Sequence, residues 1–122
     1  MLSPEVIAFL AIQPGDRILH LRCGDGAIAR QLAALVPLGV VVGVDPDDDQ
    51  VRAARAASTD IENVLFVNAG IEEIPWKADY FSHALLDQAF SEMGEVYRVL
   101  APSGKVFLLD EGKVSAVPGP DS

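Results

Sequence analysis

The stretch Ile18-Leu19-His20-Leu21-Arg22-Cys23-Gly24-Asp25-Gly26-Ala27-Ile28-Ala29 constrains this chain more than any other. Its apolar start reads as a buried strand, its glycines as a tight turn, and its continuation as a helix. A strand that passes through a glycine turn into a helix brings backbone N–H groups close to a ligand. That is the plan of a nucleotide-type pocket. Yet Arg22 stands in the first glycine slot of the turn, and His20 stands two positions earlier where an acidic residue is usual. The turn is therefore expected to form, and its pocket to be altered.

The remaining sequence alternates in the same sense. Ser3-Pro4 caps a first helix carrying Val6, Ile7, Phe9 and Leu10, which Pro14-Gly15-Asp16 ends. Arg17 to Leu21 is the first strand, and Ala27 to Val36 is helical with Ile28, Leu32 and Leu35 on one face. The run Val40-Val41-Val42-Gly43-Val44 is apolar throughout, as a central parallel strand covered on both faces would be. A helix follows from Asp47 through Ala57. Strands are expected at Asn63 to Val67, Phe81 to Leu86 and Lys105 to Asp110, with a helix over Ser91 to Leu100. The alternation implies an α/β, Rossmann-like, doubly wound parallel sheet of five strands. Right-handed crossovers with a reversal beside the first strand give the order 3-2-1-4-5 and put the glycine turn at the switch point. Residues 1–112 are expected to form this one domain, and residues 113–122, rich in Pro and Gly toward the end, a loose tail.

Composition narrows the partners. The 122 residues carry a formal net charge of -9, with a pI near 4.4. Nucleic acid is excluded as a partner, because its affinity comes mainly from Lys and Arg on phosphates. The longest apolar run, Ala33 to Val44, is broken by Pro37 and Gly39 and is too short to span a bilayer. No basic leader precedes it, and the lone Cys23 suits a reducing compartment, so a cytoplasmic location without membrane contact is expected.

Four segments in order carry a family resemblance: Cys23-Gly24-Asp25-Gly26, Val42-Gly43-Val44-Asp45, Ala69-Gly70-Ile71-Glu72-Glu73-Ile74-Pro75-Trp76, and Arg98-Val99-Leu100-Ala101-Pro102-Ser103-Gly104-Lys105. They resemble successive motifs of class I S-adenosylmethionine-dependent methyltransferases, the ubiquinone and menaquinone type above all. The resemblance implies a cofactor cradle of Cys23, Gly24, Gly26, Asp45 and Ile71. In it the two glycines admit the amino-acid portion of S-adenosylmethionine, Asp45 holds the ribose hydroxyls, and Ile71 lies against adenine. It also implies that the family's fold continues beyond the fifth strand with a helix and a terminal antiparallel hairpin, elements not expected here.

Three positions depart from the family pattern. His20 replaces an acidic residue near the cofactor's amino group, Arg22 replaces a glycine that leaves the cofactor room, and Gly70 replaces the acidic residue that accepts from the adenine amine. Arg22 is expected either to fill the pocket or to swing out onto Asp25 or Asp45. At roughly 1–3 kcal/mol per lost contact, affinity would fall by several powers of ten. S-adenosylmethionine binding is thus expected to be weak or lost.

Other residues suggest plainer roles. Asp45, Asp47, Asp48 and Asp49 precede a helix and read as cap and dipole partners, with no metal site expected. His83 reads as an interior histidine, and Cys23 as a small packing group in preference to a reactive thiol. Asp87 and Gln88 lie where methyl acceptors approach in the family or form an ordinary polar loop. Ile74-Pro75-Trp76 reads as an apolar closure of the sheet. No residue is assigned as catalytic. Without the hairpin, the edge strand Lys105 to Asp110 would expose an open ladder beside Val106, Phe107, Leu108 and Leu109. It would be covered by a second copy in a homodimer, by another protein, or by the segment Lys113 to Ser122. Three functions fit: a methyltransferase-like domain weak or inactive in methyl transfer, an active enzyme on a small-molecule acceptor, or a non-catalytic binding or assembly module.

Overall fold

The computed structural model describes residues 1–118. Helix α1 spans Pro4–Leu10, strand β1 Arg17–Leu21, α2 Ala27–Ala33, β2 Val40–Asp45, α3 Asp48–Ala56, β3 Val64–Asn68, β4 Phe81–Leu86, α4 Gly94–Val99, β5 Leu100–Asp110 and β6 Lys113–Val117. The sheet runs β3-β2-β1-β4-β5-β6. Its first five strands are mutually parallel, in the order expected. β1 lies at the centre, with Leu19 beside Val42 on one side and Ala84 on the other.

Side chains alternate across a strand, so the central strands feed two cores. Ile18, Val41, Leu85 and Phe107 point to one face, where Val6, Leu32, Val51 and Ala54 from α1, α2 and α3, together with Val36 beyond α2, cover them. Leu19, Val42, Ala84 and Val106 point to the other, against Val96, Val99, Ile74 and Phe81. This explains the unbroken apolar runs of β1 and β2. No helix lies between β3 and β4; Ile74 and Trp76 instead close the second face, with the Trp76 ring 5.5 Å from Tyr80 and 5.8 Å from Phe81.

Capping matches the sequence. Ser3 Oγ accepts from Val6 N at 3.3 Å at the start of α1, and Asp47 Oδ1 accepts from Asp49 N at 2.9 Å at the start of α3. His83 is an interior residue: its Nε2 hydrogen-bonds the Leu10 carbonyl oxygen at 2.9 Å and its ring stacks on Phe107.

The end of the chain corrects three expectations. A terminal antiparallel hairpin is present, because β6 pairs with β5 from Val106↔Val117 to Asp110↔Lys113. Its turn is Glu111-Gly112, both with positive φ, at 49° and 78°. Two such residues make the type I′ turn whose twist matches paired strands. Lys113–Val117 is therefore strand and not loose tail, while residues 119–122 of the expected tail lie outside the described residues. Finally, the Lys105 to Asp110 ladder is not open, since β4 and β6 occupy both its sides. Homodimer or partner pairing through that edge has no free backbone to use. The sequence cue was weak because Glu-Gly is a less marked turn than Asn-Gly or Asp-Gly.

Candidate functional site

The carboxyl ends of β1, β2 and β4 meet at the turn 22–26. Its backbone alternates through the left-handed region, with φ of 55° at Arg22, 57° at Gly24 and 84° at Gly26. Glycine adopts this region freely, whereas a residue with a Cβ is strained in it. Arg22 bears that strain. Behind the turn, the buried Asp45 ties β1 to β2: its Oδ2 accepts from Gly24 N and its Oδ1 from Asp47 N, both at 2.9 Å. Cys23 N adds a bond to Val44 O at 3.2 Å.

Two cavities flank this turn. The larger, about 480 Å³, is bounded by His20, Cys23, Gly24, Asp87 and Glu111, with Leu2 and Val6 as its apolar wall. The smaller, about 170 Å³, lies between Val44, Pro46, Ile71 and Phe90. Arg22 lines both. Its Nε lies 3.2 Å from Asp87 Oδ2, with the two side chains 48% and 40% exposed. Arg22 thus sits where the two cavities adjoin, with its guanidinium turned to Asp87 of the larger one. The partner differs from those expected: both Asp45 oxygens are engaged by backbone N–H groups, and Asp25 Oδ1 accepts from Ala27 N at 3.2 Å. Asp87, from the loop after β4, is the carboxylate within reach.

His20 points toward α1 and α2, on the same face as Ile18. It is 6% exposed, and its buried Nδ1 has no hydrogen-bond partner. Burial drives its pKa down to about 4, with the Asp45 carboxylate opposing the shift. The imidazole is therefore neutral at neutral pH and gives a cationic ligand little attraction. Cys23 is equally inert: burial first, then the Asp45 charge, pushes its thiol up to about 12. Its sulfur packs where a Cβ on Gly43 would come within 2.8 Å of Sγ. That is the packing role expected of it.

The five expected cofactor residues therefore divide. Cys23 and Gly24 line the larger cavity and Ile71 the smaller, while Gly26 and Asp45 support the turn from behind. A Cβ on Gly26 would fall 2.6 Å from the Phe66 ring, so this glycine serves close packing as well as φ. Gln88 lines neither cavity. Sequence reasoning missed Glu72, which faces the smaller cavity, and the contributions of Leu2 and Glu111 to the larger. Glu72 lies two residues beyond Gly70 in a quoted motif. The walls come from distant elements and had no local signal.

Residues 18–104 match the family model described as a methyltransferase domain. The chain belongs to this family. Its fold and relatives are those of class I S-adenosylmethionine-dependent methyltransferases. It is 30% identical over 118 residues to the ubiquinone/menaquinone biosynthesis C-methyltransferase UbiE of Ectopseudomonas mendocina, covering 88% of this chain and 46% of that protein. It is 34% identical over 113 residues to the 23S rRNA (uracil(1939)-C(5))-methyltransferase RlmD of Photobacterium angustum, covering 85% of this chain and 50% of that one. Among solved structures it resembles YcgJ of Bacillus subtilis, with a TM-score of 0.76 and 27% identity over 85% of this chain and 47% of that one. A SAM-dependent methyltransferase of Aquifex aeolicus shares the fold at a TM-score of 0.78 and 19% identity, over 96% and 69% of the two chains. The chain spans about half the length of the curated relatives it matches.

Proposed function

We propose that this chain is a methyltransferase-family domain whose altered cofactor turn binds S-adenosylmethionine weakly or not at all, leaving methyl transfer weak or lost. One observation carries the reading: Arg22, at φ 55° in the slot of a turn glycine, lines both cavities and pairs its side chain with Asp87. A cofactor with a nucleoside half and an amino-acid half needs one continuous trough, and a guanidinium held at the junction of the two cavities favours a divided one. His20 adds to the effect, since a neutral imidazole does not draw an ammonium as a carboxylate would. Losing charge-assisted contacts costs about 1.5–3 kcal/mol each, enough to move a micromolar site beyond the micromolar range.

Calorimetric titration with S-adenosylmethionine and S-adenosylhomocysteine tests this. Weak or absent heats are expected at micromolar ligand. A submicromolar Kd for either compound overturns the reading.

A second reading, an active methyltransferase on a small acceptor, is favoured by the intact Gly24–Asp45 support and the size of the larger cavity, about 480 Å³. The quinone-type relatives suggest an apolar aromatic acceptor. Transfer of labelled methyl from S-adenosylmethionine to such a compound decides it. A binding or assembly role remains the third, with the outer side of β6 now the surface available for it. The lone Cys23 supports a cytoplasmic setting, and no helix among the described residues is long and apolar enough to cross a membrane.

A further inference from the structure

Strand β6 closes the ladder of β5 but leaves an edge of its own. In a two-residue hairpin Asp110 and Lys113 bond each other in both directions, so Lys113, Ser115 and Val117 face β5 and the backbone groups of Val114 and Ala116 turn outward. β6 is the last strand of the sheet, and no other strand among the described residues pairs with that side. Lys113 and Pro118 frame the stretch. Between them it carries neither a charge nor a proline, the residues that usually blunt an edge. Beside it, on the sheet face opposite α1, lies a groove of about 360 Å³ lined by Ala89, Phe90, Met93, Tyr97, Leu108 and Val117. The last five of these are apolar or aromatic and only half-buried.

We propose that the outer edge of β6 and this groove together take an extended segment of a partner protein, matching the five residues of β6 and alternating apolar with basic side chains. The extended form follows from the edge. Only a strand supplies a row of donors and acceptors to the groups that Val114 and Ala116 leave open. Alternation follows from the pleat, which turns every second side chain of an added strand toward the groove. Phe90, Met93 and Tyr97 are of the types enriched where proteins meet. The basic character follows from charge: Glu92, Asp110 and Glu111 flank the groove and the hairpin against Lys113 alone, in a chain of net charge -9. A second copy would bring the same acidic rim and be repelled, whereas Lys or Arg on an incoming strand is drawn. This site rests on the binding or assembly reading above, to which it gives a place and a partner chemistry.

The test titrates the full chain at about 0.15 M salt with a labelled, end-blocked peptide of sequence KVKLKVK and with its acidic counterpart EVELEVE. Fluorescence anisotropy reads binding, and hydrogen exchange at the Val114 and Ala116 amides reads its place. The basic peptide should bind roughly tenfold or more tightly than the acidic one and slow exchange at both amides by a similar factor. Ala116→Pro removes one outward N–H without touching a bond to β5. Met93→Gln makes the groove polar at nearly constant side-chain length. Each variant, checked by its melting curve, should weaken the basic peptide roughly tenfold. Four results each overturn the proposal: no binding of the basic peptide, equal affinity for the two peptides, binding without protection at Val114 and Ala116, or unchanged affinity in a folded Ala116→Pro. Transfer of labelled methyl from S-adenosylmethionine, measured on the same protein, judges the non-catalytic reading separately. An active enzyme whose two amides are still protected keeps this site and loses that reading.

Discussion

Replacing Arg22 with glycine should open the trough at little cost to the fold. A non-glycine residue in the left-handed region costs about 1–2 kcal/mol, so removing the strain at φ 55° stabilises by about that much. Against this, glycine enlarges the unfolded ensemble by roughly 0.5–1 kcal/mol. The Arg22–Asp87 pair, with side chains 48% and 40% exposed, contributes about 0–1 kcal/mol after solvent screening. These terms nearly cancel, and the melting temperature should move by less than about 5 °C. Binding should change more. In wild type a spanning ligand must break the ion pair and displace a long side chain, a penalty on the order of 1–3 kcal/mol that the variant lacks. S-adenosylmethionine affinity should therefore rise roughly 10- to 100-fold by calorimetry, and further when His20→Asp is added. Unchanged affinity in a folded Arg22→Gly protein would show that the guanidinium is no obstruction. A loss of stability above about 3 kcal/mol would show instead that Arg22 holds the turn together, contrary to the sum above.

Stability should fall with pH between 6.5 and about 4, because His20 takes a proton in the unfolded chain over that window but not in the folded one. The contribution, present in full above pH 6.5, is at most roughly 3 kcal/mol; chemical denaturation at several pH values should show a shallower slope for His20→Leu than for wild type, and equal slopes would refute the assignment. With its thiol pushed up to about 12, Cys23 should react with a disulfide reagent at pH 8 only slowly, and rapidly once denaturant unfolds the chain. Fast labelling of the folded protein would mean that the turn opens. Sedimentation should give a monomer of 13.0 kDa across the micromolar range, since β6 fills the ladder of β5; a dimer that dissociates in Leu108→Lys would restore pairing through that strand.

What the sequence revealed followed from periodicity. Val41 and Val42 are buried against opposite layers, and only a doubly covered strand requires both to be apolar. Arg17–Leu21 and Phe81–Leu86 accordingly emerge with the limits expected of them. Less was legible where a local pattern had two readings. The alternation of Lys113–Val117 is short and its Glu-Gly turn weak, so proline and glycine further on suggested a tail; pairing with β5 supplies the missing stability. At the site, residue types marked the turn and its departures, but not where long side chains reach. Arg22 finds Asp87, 65 positions away in sequence, because Asp45 and Asp25 already serve backbone N–H groups. Only the folded arrangement shows that competition.

The fold and the pocket depend on different residues, which is why one survives changes to the other. Ile18, Leu19, Val41, Val42 and Leu85 hold the sheet through burial and lie along the strands. Arg22, Asp87 and Glu72 stand at or beyond the carboxyl ends of the strands and contribute little to the core. Asp45 links the two sets: it supports the turn through Gly24 N and Asp47 N, so it is needed for structure even where no ligand binds. Retention of Asp45 is therefore no argument for an active cofactor site. The informative residues are those the fold does not need. Arg22 bears backbone strain for an exposed ion pair worth little. On the reading proposed above, it makes sense as a determinant of what enters the trough, a role the fold itself does not require of it.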